Sequence, residues 1–434
     1  MSAQPVRATI FAYQVGFGDC FLVRFTYDDQ SRRHMLIDFG TTSLPEDAPK
    51  GWMVAVANDI AAKCRENGHS LDVVVATHRH ADHISGFATG SAGDPGPGDI
   101  IAALKPRAIV QPWTEAPTAP LDWLGPEKSA SKNAFNSRRA SLAAMQDTAA
   151  AALAQLTKHP SAFRSLSREL AFIGEDNLSN LSAVRNLQKM GKAGRELFVF
   201  HGCKAKLGAE LPNIGVTVLG PPTLRQTETI RKQRSKDEDE FWHLAALNLG
   251  RAAGTVAARP LFPGAETISG KKIKAEHRWL AYRLRETNAE LTLSLVRALD
   301  KQMNNTSVIL LLEAGKKSLL FPGDAQLENW QYALQSPLAR LLDQVDLYKV
   351  GHHGSLNATP KSMWRRFAKK GPKGTPGRLT SVMSTKGGKH GSKGKGTEVP
   401  RKPLVDELDL RSTLVSTESL PDGELYRKVE IDLA

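Results

Sequence analysis

Six consecutive residues, His78-Arg79-His80-Ala81-Asp82-His83, hold three imidazoles and one carboxylate. His78 and His80 are two apart, so on an extended segment both rings point the same way. Asp82 and His83 follow at once, where a turn aims them at a second point. That donor set suits two metal ions a few ångströms apart, each held by N and O ligands with a position left open for water. The chemistry such a pair supplies is hydrolysis, because it activates water near neutral pH and neutralises an anionic ester during attack.

The neighbouring chain reads as the scaffold for those ligands. Residues 71–77 are apolar and β-branched, a buried strand that ends at the first histidine, and residues 82–87 read as the start of a helix. A histidine-rich surface loop, the bland alternative, fits such flanks poorly. Strands are expected over 9–15, 20–25, 35–40 and 106–111, with a glycine turn at Gly16-Phe17-Gly18-Asp19. An amphipathic helix is expected over 52–66, with Trp52, Val54, Val56, Ile60 and Cys64 on one face. Asp38 is either a turn residue or the carboxylate that receives the second ring N–H of a ligand histidine, and the latter is favoured.

Taken in order, these segments resemble the metallo-β-lactamase superfamily, specifically the hydrolase domain of the competence protein ComEC. Val15-Gly16-Phe17-Gly18-Asp19-Cys20 is similar to that family's VGQGDA/S turn, and Leu36-Ile37-Asp38-Phe39-Gly40 to its LIDTG. The stretch from Thr77 to Gly86 is similar to its HxHxDH loop. Later, Asn304-Asn305-Thr306-Ser307, Leu320-Phe321-Pro322-Gly323-Asp324 and Val350-Gly351-His352-His353-Gly354-Ser355 are similar to its NxxS, LLTGD and VPHHGS motifs. The likeness implies an α/β fold, the αββα metallo-β-lactamase sandwich, here with a largely helical insert. The expected division is 1–114 for the first half, 115–300 for the insert with some sheet returning near 214–219, and 301–434 for the second half.

The resemblance also implies roles. His78 and His80 would hold the first metal, Asp82 and His83 the second, and Asp324 would bridge. Of His352 and His353, one completes the second site and the other faces substrate; His353 is favoured as the ligand and His352 as the catalytic partner of Asp82 and Asp324. Asp38 and Asp19 would support the ligands. Two divalent ions, Zn²⁺ or Mn²⁺, are the implied cofactors. The family's third histidine for the first metal is missing: 219–222 and 304–307 carry none, and His159, His201, His243 and His277 lie elsewhere, with His201 slightly ahead because it ends a strand at 197–200.

The insert is expected to hold helices over 133–156, 165–173 and 178–190, a mixed charge run over 225–240, and Trp242 and Trp279. The aromatics read as ordinary core, or as part of a lid or an oligomer or protein-partner contact. From 361 to 397 there are eleven Lys and Arg and no Asp or Glu. The Gly/Lys-rich loop at 369–397 is either solvated chain or an arm that grips phosphates through Lys386, Lys389, Lys393 and Lys395.

Composition narrows the setting. The 434 residues are 41% hydrophobic, enough for a large core. The net charge of +13 favours a polyanionic partner, with nucleic acid the substrate to expect. No apolar run spans a bilayer, the start lacks a signal-peptide layout, and three scattered cysteines form no disulfide framework. A cytoplasmic metallohydrolase acting on nucleic-acid phosphodiesters is the leading expectation. A small-molecule hydrolase and a catalytically idle binding subunit are its rivals.

Overall fold

The computed structural model describes residues 3–66, 70–116, 180–223, 226, 304–389, 398–418, 420–421 and 423–434. The chain divides into two compact units. The first comprises Met1–Ala130, Ser179–Thr227 and Met303–Ala434; the second, Ser131–Leu178 and Glu228–Gln302, lies outside the described residues. The helices expected over 133–156 and 165–173, most of the charge run, Trp242 and Trp279 lie outside them too.

The described chain is mixed α/β with two mixed sheets. The strands are β1 (Pro5–Tyr13), β2 (Cys20–Tyr27), β3 (Arg32–Phe39), β4 (Val73–Val75), β5 (Ala108–Pro112), β6 (Arg195–Val199), β7 (Ile214–Gly220), β8 (Ile309–Ala314), β9 (Lys317–Phe321), β10 (Leu347–Lys349), β11 (Thr380–Met383), β12 (Thr413–Ser416) and β13 (Tyr426–Asp432). One sheet runs β13-β1-β2-β3-β4-β5-β6 and the other β12-β11-β10-β9-β8-β7. Each is antiparallel at one end and parallel at the other: β3 through β6 run parallel, as do β9 through β12.

Three cores explain the arrangement. Alternate residues of both sheets, such as Ile10, Phe21, Val23, Val75, Leu310, Phe321, Leu347 and Val382, share one buried core. Phe21 meets Phe321 across it with ring centroids 6.2 Å apart, within the range of favourable aromatic pairs. The opposite residues of the first sheet, Leu22, Leu36 and Val74 among them, pack with Val56 and Ile60 of the helix Trp52–Arg65 and with Leu187 of the helix Leu181–Ala193. Those of the second sheet, including Leu311, Leu320 and Tyr348, pack with Trp330, Trp364 and Leu408 of its own helices. Full burial of each large apolar side chain contributes about 1.5–3 kcal/mol. The alternating strands leave one layer of side chains for the sheet-sheet core and one for the helices.

Several expectations shift. The span 115–300 is not all insert: β6, β7 and the helix Leu181–Ala193 belong to the main unit, with β6 paired to β5 and β7 to β8. The NxxS motif precedes β8, which begins at Ile309, and Asn329 Nδ2 holds the carbonyls of Asn305 and Ser307, keeping 304–307 in a turn. β13 was not foreseen and completes the first sheet by pairing with β1. Among the described residues no helix is long and apolar enough to cross a membrane.

Candidate metal centre

The carboxyl ends of the parallel strands meet at one place, as ligand sites of open α/β sheets do. Chain leaving β4 gives Thr77 and His78; the short helix Ala81–Ile84 gives Asp82 and His83. The turn after β9 gives Asp324, chain leaving β10 gives His352 and His353, and chain leaving β11 gives Ser384. The β1–β2 turn adds Asp19 and β3 adds Asp38. The two sheets are stitched here by the Val308 N–H donating to the Thr77 carbonyl, 2.9 Å.

Close backbone approach makes this possible. At Gly40 an added Cβ would lie 2.4–2.5 Å from the backbone of Ala81, Asp82 and His83, so only glycine lets the end of β3 touch the ligand turn. Gly323 takes φ +54, and a Cβ there would stand 2.8 Å from the Thr77 side chain. The His-His pair needs a turn to aim both rings, and the turn is made by His352 (φ +44), His353 (φ +52) and Gly354 (φ +89) in succession. Non-glycine residues in that region cost on the order of 1–3 kcal/mol each, strain that concentrates at functional sites. Between the first two ligands, Arg79 forks onto Glu115 with Nε 3.0 and 3.1 Å from its two oxygens, fixing the loop from outside.

The orientation of each ring follows from what its other nitrogen does. His83 Nδ1 lies 2.7 Å from Asp38 Oδ2, and Asp38 also receives the Thr77 N–H and Oγ1–H, both at 2.7 Å. Because Thr77 Oγ1 spends its proton on Asp38, it is an acceptor for His78 Nδ1 at 3.3 Å. His353 Nδ1 lies 3.0 Å from the Ser384 carbonyl, which can only accept. Nδ1 of each ring therefore carries a proton, and Nε2 is turned inward, where it can serve as a ligand atom once it holds no second proton. Asp38 thus occupies the supporting position considered for it. Asp19 braces the turn through its N–H to the Asp82 carbonyl, 2.8 Å.

Inward, the donors crowd together. His83 Nε2 is 3.0 Å from Asp324 Oδ2, and His353 Nε2 is 2.9 Å from Asp82 Oδ2. Asp82 Oδ1 and Asp324 Oδ2 are buried without a hydrogen bond. A lone pair facing a carboxylate at 3 Å repels unless a proton or a cation stands between them. At the centre four buried carboxylates (Asp19, Asp38, Asp82, Asp324) meet the Lys349 ammonium, and once the rings give up their second protons to act as ligands no other described cation there balances them; Arg79 and Glu115 cancel each other. The surplus of negative charge is what divalent cations would offset, and the N and O donors are those Zn²⁺ and Mn²⁺ accept. The residues fit the implied metals.

Without metal, a proton fills the place between ring and carboxylate. Burial opposes an imidazolium at His83 and at His353, but Asp324, Asp82 and Asp38 around the first and Asp82, Asp19 and Asp324 around the second outweigh it and raise both pKa values, that of His83 well above the usual value. Burial, His83 and His80 hold His78 well below it, a neutral ligand. Burial opposes ionisation of Asp324, yet His83, His352 and Lys349 keep it well below the ordinary carboxylate range.

By reach, three groups form. Asp82, His83, Asp324 and His353 each offer a ligand atom within 4.8 Å of the others, and so do His78, His80 and Asp82, and Asp19, Asp38 and His83. Asp82 is common to the first two, whereas Asp324, expected to bridge, belongs to the first alone. The physical reason is that Asp324 Oδ1 already receives the His352 N–H at 3.0 Å and lies 3.5 Å from Lys349 Nζ. His201 is in none of them; its Nδ1 is tied to the Leu219 carbonyl at 2.8 Å and its ring rests edge-on against Tyr332. His353 is fully buried while the His352 side chain keeps 26% of its exposure.

Sequence reasoning missed Lys349, Ser384 and Ser307, whose Oγ accepts from the Asp324 N–H at 3.3 Å. Only Lys349 carried a local sign, a lysine in an apolar strand run, where an unpaired ammonium is almost never buried. Lys386 does not project as a free arm: its ammonium donates to the Leu44 carbonyl at 2.6 Å and lies 3.3 Å from Ser43 Oγ. Lys389 is half-buried, and Lys393 and Lys395 lie outside the described residues.

No family model matches the chain. A stretch of 56 residues, 13% of the chain, is 41% identical to Recombination protein 2 of Haemophilus influenzae, and the match covers 6% of that protein. The chain thus corresponds to a small fraction of that relative's length.

Proposed function

We propose that this chain is a dinuclear metal-dependent hydrolase of the metallo-β-lactamase sandwich type, cleaving phosphodiesters in nucleic acid. The observation that carries the reading is the pair of inward Nε2–carboxylate contacts, His83 to Asp324 and His353 to Asp82, in a fully buried cluster. The layering of two sheets between helices and the chain order of the ligands support the sandwich. Bound metals would supply an activated water and neutralise the phosphodiester. The chain's own part is to hold His78, His80, Asp82, His83, Asp324 and His353 in one protonation pattern, through Thr77, Asp38 and Ser384. His352, at the exposed rim, is placed to meet a phosphoryl oxygen or the leaving group. Nucleic acid is favoured over a small ester because the basic tract leaves directly from the site wall: Ser384 touches His353, and Lys386 is two residues on. A relative named for recombination is in keeping with that choice.

Metal content tests the class. Purified wild type should carry close to two divalent transition-metal ions per chain, and Asp82→Ala/His83→Ala should lose them. A wild type that binds no metal by elemental analysis refutes the hydrolase and leaves the idle binding subunit. Nuclease assays across Mn²⁺, Mg²⁺ and Zn²⁺ then identify the working ion.

Salt dependence tests the substrate. Each phosphate neutralised adds about −0.7 to −0.9 to the slope of log K against log salt. Lys386 is engaged by Leu44, so Lys386→Ser should leave the slope of nucleic-acid binding nearly unchanged. Changing Lys393 and Lys395 together to Ser should flatten it by about 1.4–1.8 units, equally for all base sequences. An unaltered slope in the double variant moves the reading to a small-molecule hydrolase.

A further inference from the structure

Lys349 closes β10 among fully buried residues, and its ammonium has no route to water. Nζ contacts Asp19 Oδ2, donates to the Gly323 carbonyl at 3.1 Å and stands 3.5 Å from Asp324 Oδ1. The lysine touches Asp324 through the oxygen that does not face His83. Asp324 is thereby divided: Oδ1 faces Lys349 and the His352 N–H, and Oδ2 faces His83.

We propose that Lys349 is a positioning residue that acts as a resident cation of the metal centre, pinning Asp19 and one oxygen of Asp324 so that Asp324 offers the metals a single oxygen. The idea rests on the metal-centre reading above. It has two consequences. With metal removed, Lys349 balances part of the buried negative charge and keeps the site assembled. With metal present, it restricts Asp324 to one-oxygen ligation, because the second oxygen is never free to turn inward. Methionine keeps the length and removes the charge, leaving Asp19 and Asp324 without their shared ammonium, a costly state in a buried site.

The test uses Co²⁺ as the probe, read by its visible absorption, together with thermal unfolding of the full chain. Lys349→Met in EDTA should melt about 10 °C below wild type. Co²⁺ should recover most of that difference, so the metal-induced shift is larger in the variant than in wild type. Its Co²⁺ spectrum should change in band position and intensity, because Asp324 Oδ1, then held by the His352 N–H without the ammonium, can turn toward the metal. If Lys349→Met does not fold, Asp19→Asn/Lys349→Met removes one stranded carboxylate with the cation; it should melt near wild type in EDTA and still show the altered spectrum. A wild-type Co²⁺ spectrum in whichever of the two variants folds, or a melting loss in Lys349→Met that is the same with and without Co²⁺, reduces Lys349 to a packing residue and overturns the proposal. Wild type that takes up no Co²⁺ instead removes the metal centre itself, and the two failures are told apart by that control.

Discussion

Asp324→Asn is expected to fold normally and to lose at least ~10³-fold in turnover, about 4 kcal/mol of transition-state stabilisation. Asparagine keeps the shape of the side chain and an oxygen for the His352 N–H, so the turn after β9 survives. What it cannot keep is the anionic Oδ2, which is buried, carries no hydrogen bond and faces His83 at 3.0 Å. An amide is a poor ligand and leaves the water-activating charge arrangement incomplete. Lys349 still pairs with Asp19, which confines the damage to the centre. The check is turnover on a phosphodiester at saturating metal, with melting temperature as the control for folding. Turnover within tenfold of wild type would show that Asp324 is not a ligand the reaction needs.

How much of this was legible beforehand depends on how local the signal is. His78, His80, Asp82 and His83 sit in six residues between an apolar strand and a helix start, so ligand spacing, strand end and turn are read from one window. Asp38 was readable for the same reason, lying at the end of an apolar strand two residues before a glycine. Lys349 was not, because nothing near it in sequence reveals Asp19, 330 positions away, as its partner. β13 was missed because Tyr426-Arg427-Lys428-Val429-Glu430-Ile431-Asp432 buries only Val429 and pairs with β1 at the far end of the chain. Lys386 was misplaced by composition: a lysine among glycines reads as solvated, and only the fold shows the Leu44 carbonyl waiting for it.

The bridging role is the instructive case. Sequence order puts a carboxylate on the turn after β9, and bridging follows from its two oxygens. In the fold those oxygens are unequal, one held by an N–H and an ammonium and the other bare. Meanwhile Asp82 has one oxygen on His353 and one without a hydrogen bond, and it belongs to two of the donor groups. In the proposed centre, which carboxylate would be shared depends on hydrogen bonds contributed from β10 and the turn after it, which no window around Asp324 contains.

The adjacent histidines should separate cleanly in two measurements. His353 is fully buried, its Nδ1 is committed to the Ser384 carbonyl, and its Nε2 points at Asp82 among the ligand atoms. His353→Ala should therefore lower bound metal by about one ion per chain, and its turnover loss should be partly restored by excess metal. His352 stands at the rim with 26% of its side chain exposed and Nε2 3.8 Å from Asp324 Oδ2. In the proposed reaction it would act on a phosphoryl oxygen or leaving group as a positioned acid or donor, an effect of about 10²–10⁴-fold. His352→Ala should keep full metal content and lose turnover in that range, with no recovery on adding metal. Since both residues occupy the left-handed region, alanine at either position relieves none of the turn's strain, so a folding defect should affect the two variants alike. Elemental analysis and turnover across a metal titration give both readouts on the same samples. Loss of metal in His352→Ala with full occupancy in His353→Ala would exchange the two roles.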